Sequence, residues 1–307
     1  MEGGVMRTDE FIKIDTDLCT GCGLCIDVCP FKNIELAEGK AVFSGETCIS
    51  CSHCAAACPQ GSIRLPVIDE GMGEYQTFAA DKRWLPHGQY DTAGLVRLMA
   101  SRRSCRNFTD RPVESPLLED LVKIGINAPS GTNSQLWTFT IFPTRSAVMS
   151  FSIHIAAFFK NLNAMAEKRF LRTMLKLVGK KELDDYFLAY YPIVKKTLEE
   201  WESSGKDRLF HSAVAAIIIG STPGASCPAE DALLATQNIL LAAHSMGLGS
   251  CLIGFAVSAM KEAPEIKRSI GISENETVYA VVALGYPDES YDTVARRKKP
   301  ATRYFEG

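Results

Sequence analysis

An α+β fold in two parts is expected from three features of this chain. A duplicated cysteine motif fills the start, strand-like apolar runs are scattered among long helical patterns afterwards, and no regular strand–helix alternation links those runs. The 307 residues suffice for two domains at roughly 100–200 residues each. The expected division is a small domain at 1–65, a linker at 66–90 and a larger domain at 91–307. With 46% hydrophobic and 22% charged residues and a formal net charge of −3, the composition is that of a soluble globular protein. It has no basic excess to suggest nucleic acid. MEGGVMRTDE lacks the basic-then-apolar order of a signal peptide, and apolar runs such as 213–220 (AVAAIIIG) are far shorter than the ~18–20 residues that span a bilayer. A cytoplasmic location without membrane contact is expected.

Eight of the eleven cysteines lie in two runs, CTGCGLCIDVCP at 19–30 and CISCSHCAAACP at 48–59; the others are Cys105, Cys227 and Cys251. A disulfide framework does not usually crowd its cysteines this way and leave a large core unstapled, so the surroundings are expected to be reducing. A shift of 29 superposes Cys19, Cys22, Cys25, Cys29 and Pro30 on Cys48, Cys51, Cys54, Cys58 and Pro59, and Ile34-Glu35-Leu36 on Ile63-Arg64-Leu65. Each half is expected to be a short strand, the cysteine loop, a brief helix and a second short strand. A half is too small to bury a core alone, so two halves packing around metal is the expected solution. Cys-x2-Cys-x2-Cys-x3-Cys-Pro suits iron–sulfur ligation better than zinc, which favours paired Cys-x2-Cys units set further apart. His53 is expected to be a surface residue.

Over residues ~8–65 these runs resemble the bacterial 2[4Fe-4S] ferredoxins, in which the fourth cysteine of each run serves the opposite cluster. The resemblance implies one [4Fe-4S] cluster on Cys19, Cys22, Cys25 and Cys58, and another on Cys48, Cys51, Cys54 and Cys29.

Beyond the linker, Asp91 is an expected N-cap for a helix carrying Leu95, Val96 and Met99 on one face. A second helix is expected with Ser115 as N-cap and Pro116 in the first turn. It would bury Leu117, Leu118, Leu121, Val122 and Ile124 and stop before Pro129. Buried strands are expected at 137–142, 214–219 and 278–284, and a helix from Glu230 to about Met246, ended by Gly247. Further helices fill ~151–202, where Phe158-Phe159 and Tyr190-Tyr191 line a pocket, form a partner surface, or belong to the core.

Arg102, Arg103 and Arg106, with Ser104, form one cationic cluster, and ARRKKP at 295–300 forms another. Alone, the first reads as charge complementing a helix C-terminus; converging with the second, it makes a phosphate site. APSGTNSQLW at 128–137 is rich in small polar residues that let backbone approach a flat ligand, with Asn133 and Gln135 to read a heterocycle edge. GLGSCLIGF at 247–255 fails the G-x-G-x-x-G pattern, because Leu252 takes the third glycine's place, which argues against a Rossmann dinucleotide site.

Taken in order, Arg102-Arg103-Ser104-x-Arg106, Pro129-Ser130-Gly131-x-Asn133-Ser134-Gln135-x-Trp137, Ile253-Gly254, Gly285-Tyr286-Pro287 and Arg296-x-Lys298-Lys299-Pro300 resemble the FMN-dependent nitroreductase family over ~91–300. The resemblance implies an α+β fold with a mixed sheet flanked by helices, working as a homodimer with FMN at the interface. It implies that Arg102, Arg103, Ser104, Arg106, Arg296 and Lys298 hold the phosphate, ribityl chain and N1/C2 side. Asn133 would meet the ring's polar edge, and backbone N–H groups near Ile253 and Gly254 its N5/O4 side. Leu136 replaces a frequent proline, and the insertion at ~150–212 is expected to rebuild the pocket roof. Cys251 reads as a redox thiol or as a small buried filler.

Together the halves imply a reductase whose clusters carry single electrons to a flavin that delivers two. The acceptor is a nitroaromatic, a quinone or another conjugated electrophile, and reduced ferredoxin or NAD(P)H is the donor. No side chain need act as nucleophile or acid. Two alternatives stand beside this: an electron relay serving a protein partner, and flavin-consuming chemistry of the benzimidazole-forming type.

Overall fold

The computed structural model describes residues 11–307; residues 1–10, including MEGGVMRTDE and the start of the 1–65 domain, lie outside the described residues. Chain contacts divide it into two units. The first runs to Tyr75 and includes Ser130–Gln135; the second comprises Gln76–Pro129 and Leu136–Gly307. Part of the expected 66–90 linker thus joins each unit.

In the first unit, β1 (Lys13–Ile14), α1 (Leu24–Val28), β2 (Ile34–Ala37), β3 (Lys40–Phe43), α2 (His53–Ala57) and β4 (Ile63–Arg64) follow the expected order of each half. The halves exchange strands. β1 pairs antiparallel with β4 (Ile14 opposite Ile63), and β2 pairs with β3 (Ile34 opposite Phe43). Each two-stranded sheet therefore takes one strand from each repeat, so neither half closes alone. Phe11, Ile12, Ile34, Ala41, Ile63 and Leu65 form the small core, together with Cys19, Cys25 and Cys54.

The second unit is built on an antiparallel sheet ordered β5–β6–β8–β7, from β5 (Trp137–Phe142), β6 (Ala215–Ser221), β7 (Gly249–Leu252) and β8 (Thr277–Gly285). β6 is buried along its whole length, which explains its unbroken apolar run. Ile217 and Ile219 enter a core with α4 (Ser115–Gly125) and α9 (Pro228–Ser245), through Leu118, Leu121 and Ile239. Ala216 and Ile218 face the opposite core. There α5 (Arg145–Ala166), α10 (Gly254–Glu262) and α11 (Pro264–Ser269) supply Phe151, Ile155, Ala256, Met260 and Ile266. The region 151–202 is helical as expected: α5 continues into α6 (Arg169–Leu177), α7 (Glu182–Ala189) and α8 (Tyr191–Ser204). Among the described residues no helix is long and apolar enough to cross a membrane.

Local signals hold with small shifts. Asp91 caps α3 (Thr92–Ser101) by accepting from Ala93 N. The N-cap of α4 is Glu114 rather than Ser115: Glu114 keeps extended backbone (ψ 135°), and Ser115 already lies within the helix ahead of Pro116. α9 stops at Ser245, and Gly247 follows at φ 81°. The apolar face of α3 is not buried by its own chain; Val96 is 57% and Met99 46% exposed.

Gln76 and Thr77, at the start of the second unit, are anchored on Asp120 of α4, which is 0% exposed. Its carboxylate accepts from Gln76 N (2.9 and 3.0 Å), Thr77 N (2.8 Å) and Thr77 Oγ1 (2.6 Å). Burial pushes its pKa up, but the hydrogen bonds from Thr77 and Gln76 outweigh it and hold the carboxyl below its ordinary value. A folded pKa below the unfolded one gives a contribution fully present above the ordinary Asp range (about 4) and lost as pH falls through the folded value. Asp120→Ala is expected to lower unfolding stability at pH 7 by about 2 kcal/mol, read from urea midpoints, with the deficit shrinking in acid. Equal midpoints at pH 7 would show that the anchor contributes nothing.

Candidate functional site

Each unit holds one constellation. In the first, the cysteines gather into two small cavities. One is lined by Cys19, Cys22, Cys25 and Cys58, the other by Cys48, Cys51, Cys54 and Cys29. These are the two quartets implied by the ferredoxin resemblance, each drawing its fourth member from the other half. Donors already point at several sulfurs: Ala41 N at Cys19 Sγ (3.4 Å), Asn33 N at Cys29 Sγ (3.4 Å) and Ser50 N at Cys48 Sγ (3.3 Å), while Ser62 Oγ lies 3.2 Å from Cys58 Sγ. Backbone hydrogen bonds from Ala41 and Gly21 lower the Cys19 pKa. Burial first, then the charges of neighbouring Cys48 and Cys51, push Cys54 up to about 11. A buried thiol this hard to ionise suits a site where a cation stabilises the thiolate. His53 also borders the second cavity, though its side chain is exposed.

In the second unit, the segment after α3 runs alongside β7. Ser104 forms a parallel bridge with Ser250, and Cys105 N donates to Ser250 O at 2.9 Å. This approach requires glycine at 249, where a Cβ would stand 2.7 Å from Cys105 Sγ. β7 leads directly to Ile253, the N-cap of α10, which offers no side-chain cap; Gly254 is exposed, with open space at its Cβ position. The start of α10 therefore presents free backbone N–H groups and the positive end of a helix dipole. The sheet thus sets Ser104 beside Ser250, and Arg106 lines the same cavity as Ile253 and Gly254.

Arg102 is partly buried, and its pKa is lowered first by burial, then by the charges of Arg103 and Arg297. Among the described residues, no carboxylate forms an ion pair with Arg102, Arg103, Arg296, Arg297 or Lys298. With no carboxylate among them, these cations are free to meet an anion. In the ARRKKP run it is Arg297 that acts on Arg102, a residue the sequence reading passed over in favour of Arg296 and Lys298. Cys251 is buried beside Arg106, Ser104 and Arg102, and burial pushes its thiol up, as fits a filler rather than a reactive thiolate.

Asn133 and Gln135 belong to the first unit. Asn133 Nδ2 donates to Ile49 O (2.9 Å) and Ser50 O (3.0 Å), and Gln135 N donates to Ser130 Oγ (3.1 Å).

A cavity of about 1470 Å³ opens beside the start of α10. Arg106, His211 and Cys251–Phe255 line it, together with Phe158, Phe159, Tyr186, Tyr190 and Ile193 from the insertion. Phe255 packs edge-on to both Phe159 and Tyr190 at 5.5 and 6.0 Å between ring centres. The aromatics of the insertion therefore divide: Phe158, Phe159 and Tyr190 line the cavity, whereas Tyr191 turns its hydroxyl to Glu167. His211 carried no sequence signal. It stands at φ 57° on a turn pinned by buried Asp207, which accepts from Leu209 N, Phe210 N and Ser212 N and pairs with Arg145 at 2.8 Å. Burial, then the Arg106 charge, lower the His211 pKa and favour neutral imidazole. Glu289, also unsignalled, accepts from Asn107 Nδ2 (2.9 Å) and Tyr291 Oη (2.8 Å).

Comparison with known proteins adds the following. Residues 99–286 match the model of the nitroreductase family. The chain belongs to the nitroreductase family. In this nitroreductase-family chain, residues 11–72 match a 4Fe-4S dicluster domain. A protein of Archaeoglobus fulgidus, provisionally named NADH dehydrogenase/NAD(P)H nitroreductase, is 25% identical over 202 residues, covering 64% of this chain and 87% of its own. A ferredoxin of Pyrobaculum islandicum is 40% identical over 55 residues, 18% of this chain and 51% of its own. Among solved structures, a nitroreductase with bound FMN from Desulfitobacterium hafniense DCB-2 is 22% identical, with a TM-score of 0.49, covering 68% of this chain and 97% of that one. The nitroreductase-type α+β domain with an N-terminal dicluster ferredoxin domain is therefore the architecture expected from the sequence, and the chain is an oxidoreductase of nitroreductase type.

Asp207→Ala would leave Arg145 and three backbone donors without their acceptor in a dry turn. The expected loss is about 3–5 kcal/mol of stability in denaturant unfolding. A loss below about 1 kcal/mol would mean that water already serves the turn.

Proposed function

We propose that the chain is an FMN-dependent reductase in which two [4Fe-4S] clusters feed electrons toward a bulky, apolar, conjugated acceptor. The observation that carries this reading is the group of unpaired cations Arg102, Arg103 and Arg297 in the same unit as the uncapped start of α10. Arg102, Arg103, Arg106 and Arg297, with Arg296 and Lys298 of the same basic run, would hold a phosphate; Ser104 would donate to the polar chain. The N–H groups at Gly254 would meet an electron-rich ring edge, where such donors favour added negative charge. FMN, when bound, supplies the exchange between single-electron clusters and a two-electron product.

The cavity supports the acceptor class. Its volume exceeds the roughly 300–1,000 Å³ common for small-molecule sites, and its lining is mainly aromatic and aliphatic, with Lys180, Glu182, Asp185, Arg208 and Glu262 among it. Phe158, Tyr190, Ile193 and Phe255 would exclude water and orient a flat ring system. Neutral His211 beside Arg106 would offer a hydrogen bond within the cavity. A quinone carrying an apolar substituent fits this better than a small nitroarene. The donor is reduced ferredoxin or NAD(P)H, and the uncovered face of α3 with the exposed tail aromatics Tyr304 and Phe305 supports a homodimer. The cavity favours a small-molecule enzyme over a relay to a protein partner.

Protein purified anaerobically is expected to hold about eight iron and one FMN per chain, as two four-iron clusters require. Cys58→Ala and Cys22→Ala should each remove the same cluster, so the double variant loses no more iron than either alone. Additive loss would overturn the cross-half ligand sets. Arg103→Ala should weaken FMN retention on dilution by roughly tenfold or more, the scale of one charge-assisted hydrogen bond. Unchanged retention would remove the phosphate site.

A further inference from the structure

The two cysteine loops share a sequence repeat but not an environment. In the first, Gly21 takes φ 71°, and a Cβ there would stand 2.2 Å from Gly39 O. The β2–β3 turn therefore covers that loop. Lys40 Nζ donates to Cys19 O (2.6 Å), and Ala41 N to Cys19 Sγ (3.4 Å). All these partners lie inside the ferredoxin-like sequence.

The position equivalent to Gly21 in the second loop is Ser50, which also takes a left-handed conformation, φ 51°. A side chain in that region costs roughly 1–2 kcal/mol and persists only where the surroundings fix it. What fixes it comes from far along the chain. Asn133 Nδ2 donates to Ile49 O at 2.9 Å and to Ser50 O at 3.0 Å. Ile49 O and Ser50 N belong to one peptide plane, and Ser50 N donates to Cys48 Sγ at 3.3 Å. Because a peptide is planar, a grip on its oxygen also aims its N–H. Asn133 is itself left-handed, φ 55°, on a turn closed by Asn133 N to Ser130 O (3.0 Å) and Ser134 N to Gly131 O (3.0 Å). Asparagine is among the few residues that adopt this conformation readily.

We propose that Asn133 is a positioning residue for the second cluster, the one on Cys48, Cys51, Cys54 and Cys29. It clamps the Ile49–Ser50 peptide so that Ser50 N–H stays on Cys48 Sγ. Hydrogen bonds to cluster sulfurs raise reduction potentials and outer groups orient ligands, so a residue outside the cysteine repeat sets the potential of one cluster and not the other. The two clusters are therefore inequivalent, and an electron has a preferred resting place. This inference rests on the reading that the quartets hold two clusters.

The test uses full-length protein purified anaerobically with its iron, titrated reductively and followed by electron paramagnetic resonance. Asn133→Ala and the similarly sized, donor-free Asn133→Leu should each shift one cluster midpoint to lower potential and leave the other in place. Lys40→Met, which strips a donor from the first loop, should shift the other midpoint instead. Amide exchange at Ser50 in the Asn133 variants should quicken by about tenfold, the scale of losing a hydrogen bond or two, with Gly21 unchanged. Two shifted midpoints, or none, in the Asn133 variants would overturn the proposal, as would unchanged exchange at Ser50. Parent protein lacking two clusters would instead overturn the functional reading beneath it, and iron analysis of the parent separates the two failures.

Discussion

The side chains of Ile217 and Ile218, adjacent on β6, enter two different cores. A strand buried this way needs helices on both faces, and α4 and α9 cover one while α5, α10 and α11 cover the other. With both faces used, chemistry in this unit has to gather at the margins of the sheet. β7 is a margin, and the candidate site lies by it: Ser104 of the cationic segment bridges to Ser250, and α10 begins just after the strand ends. The insertion α5–α8 then has one open direction in which to build walls, over the first turn of α10. Central burial thus dictates where ligands can be held.

Both constellations share a physical device, charge or polarity left for a guest to complete. The Cys54 thiol is too buried to ionise easily, and the Arg102 cluster lacks a carboxylate partner among the described residues. Each is unfavourable as an isolated protein feature and favourable as half of a complex. A guest that completes such a site stabilises the fold by the free energy of its binding.

The cysteine quartets were legible because the repeat of 29 is exact at every ligand and because ligation chemistry restricts the spacing. The strands were legible where burial is continuous, as in AAIIIG of β6. Convergence was harder. Arg102–Arg106 and Ile253–Gly254 lie about 150 residues apart, and what joins them is a hydrogen bond from Cys105 to Ser250 that no local pattern encodes. His211, Glu289 and Arg297 carried no local signal for the same reason: each stands beside a residue distant in sequence, Arg106, Asn107 and Arg102 respectively. Asn133 shows the opposite difficulty. Its residue type and spacing announced a binding residue, but its amide is engaged by the Ile49 and Ser50 carbonyls. The apolar stripe of α3 is plain in the sequence, yet periodicity does not say what surface, if any, covers it.

The bridge between Ser104 and Ser250 has a consequence for colloidal behaviour. β7 ends the sheet, and an unpaired edge strand is a template for joining another molecule. The segment that carries Ser104 occupies that position, so the edge meets its own chain there and offers fewer free backbone groups to another sheet.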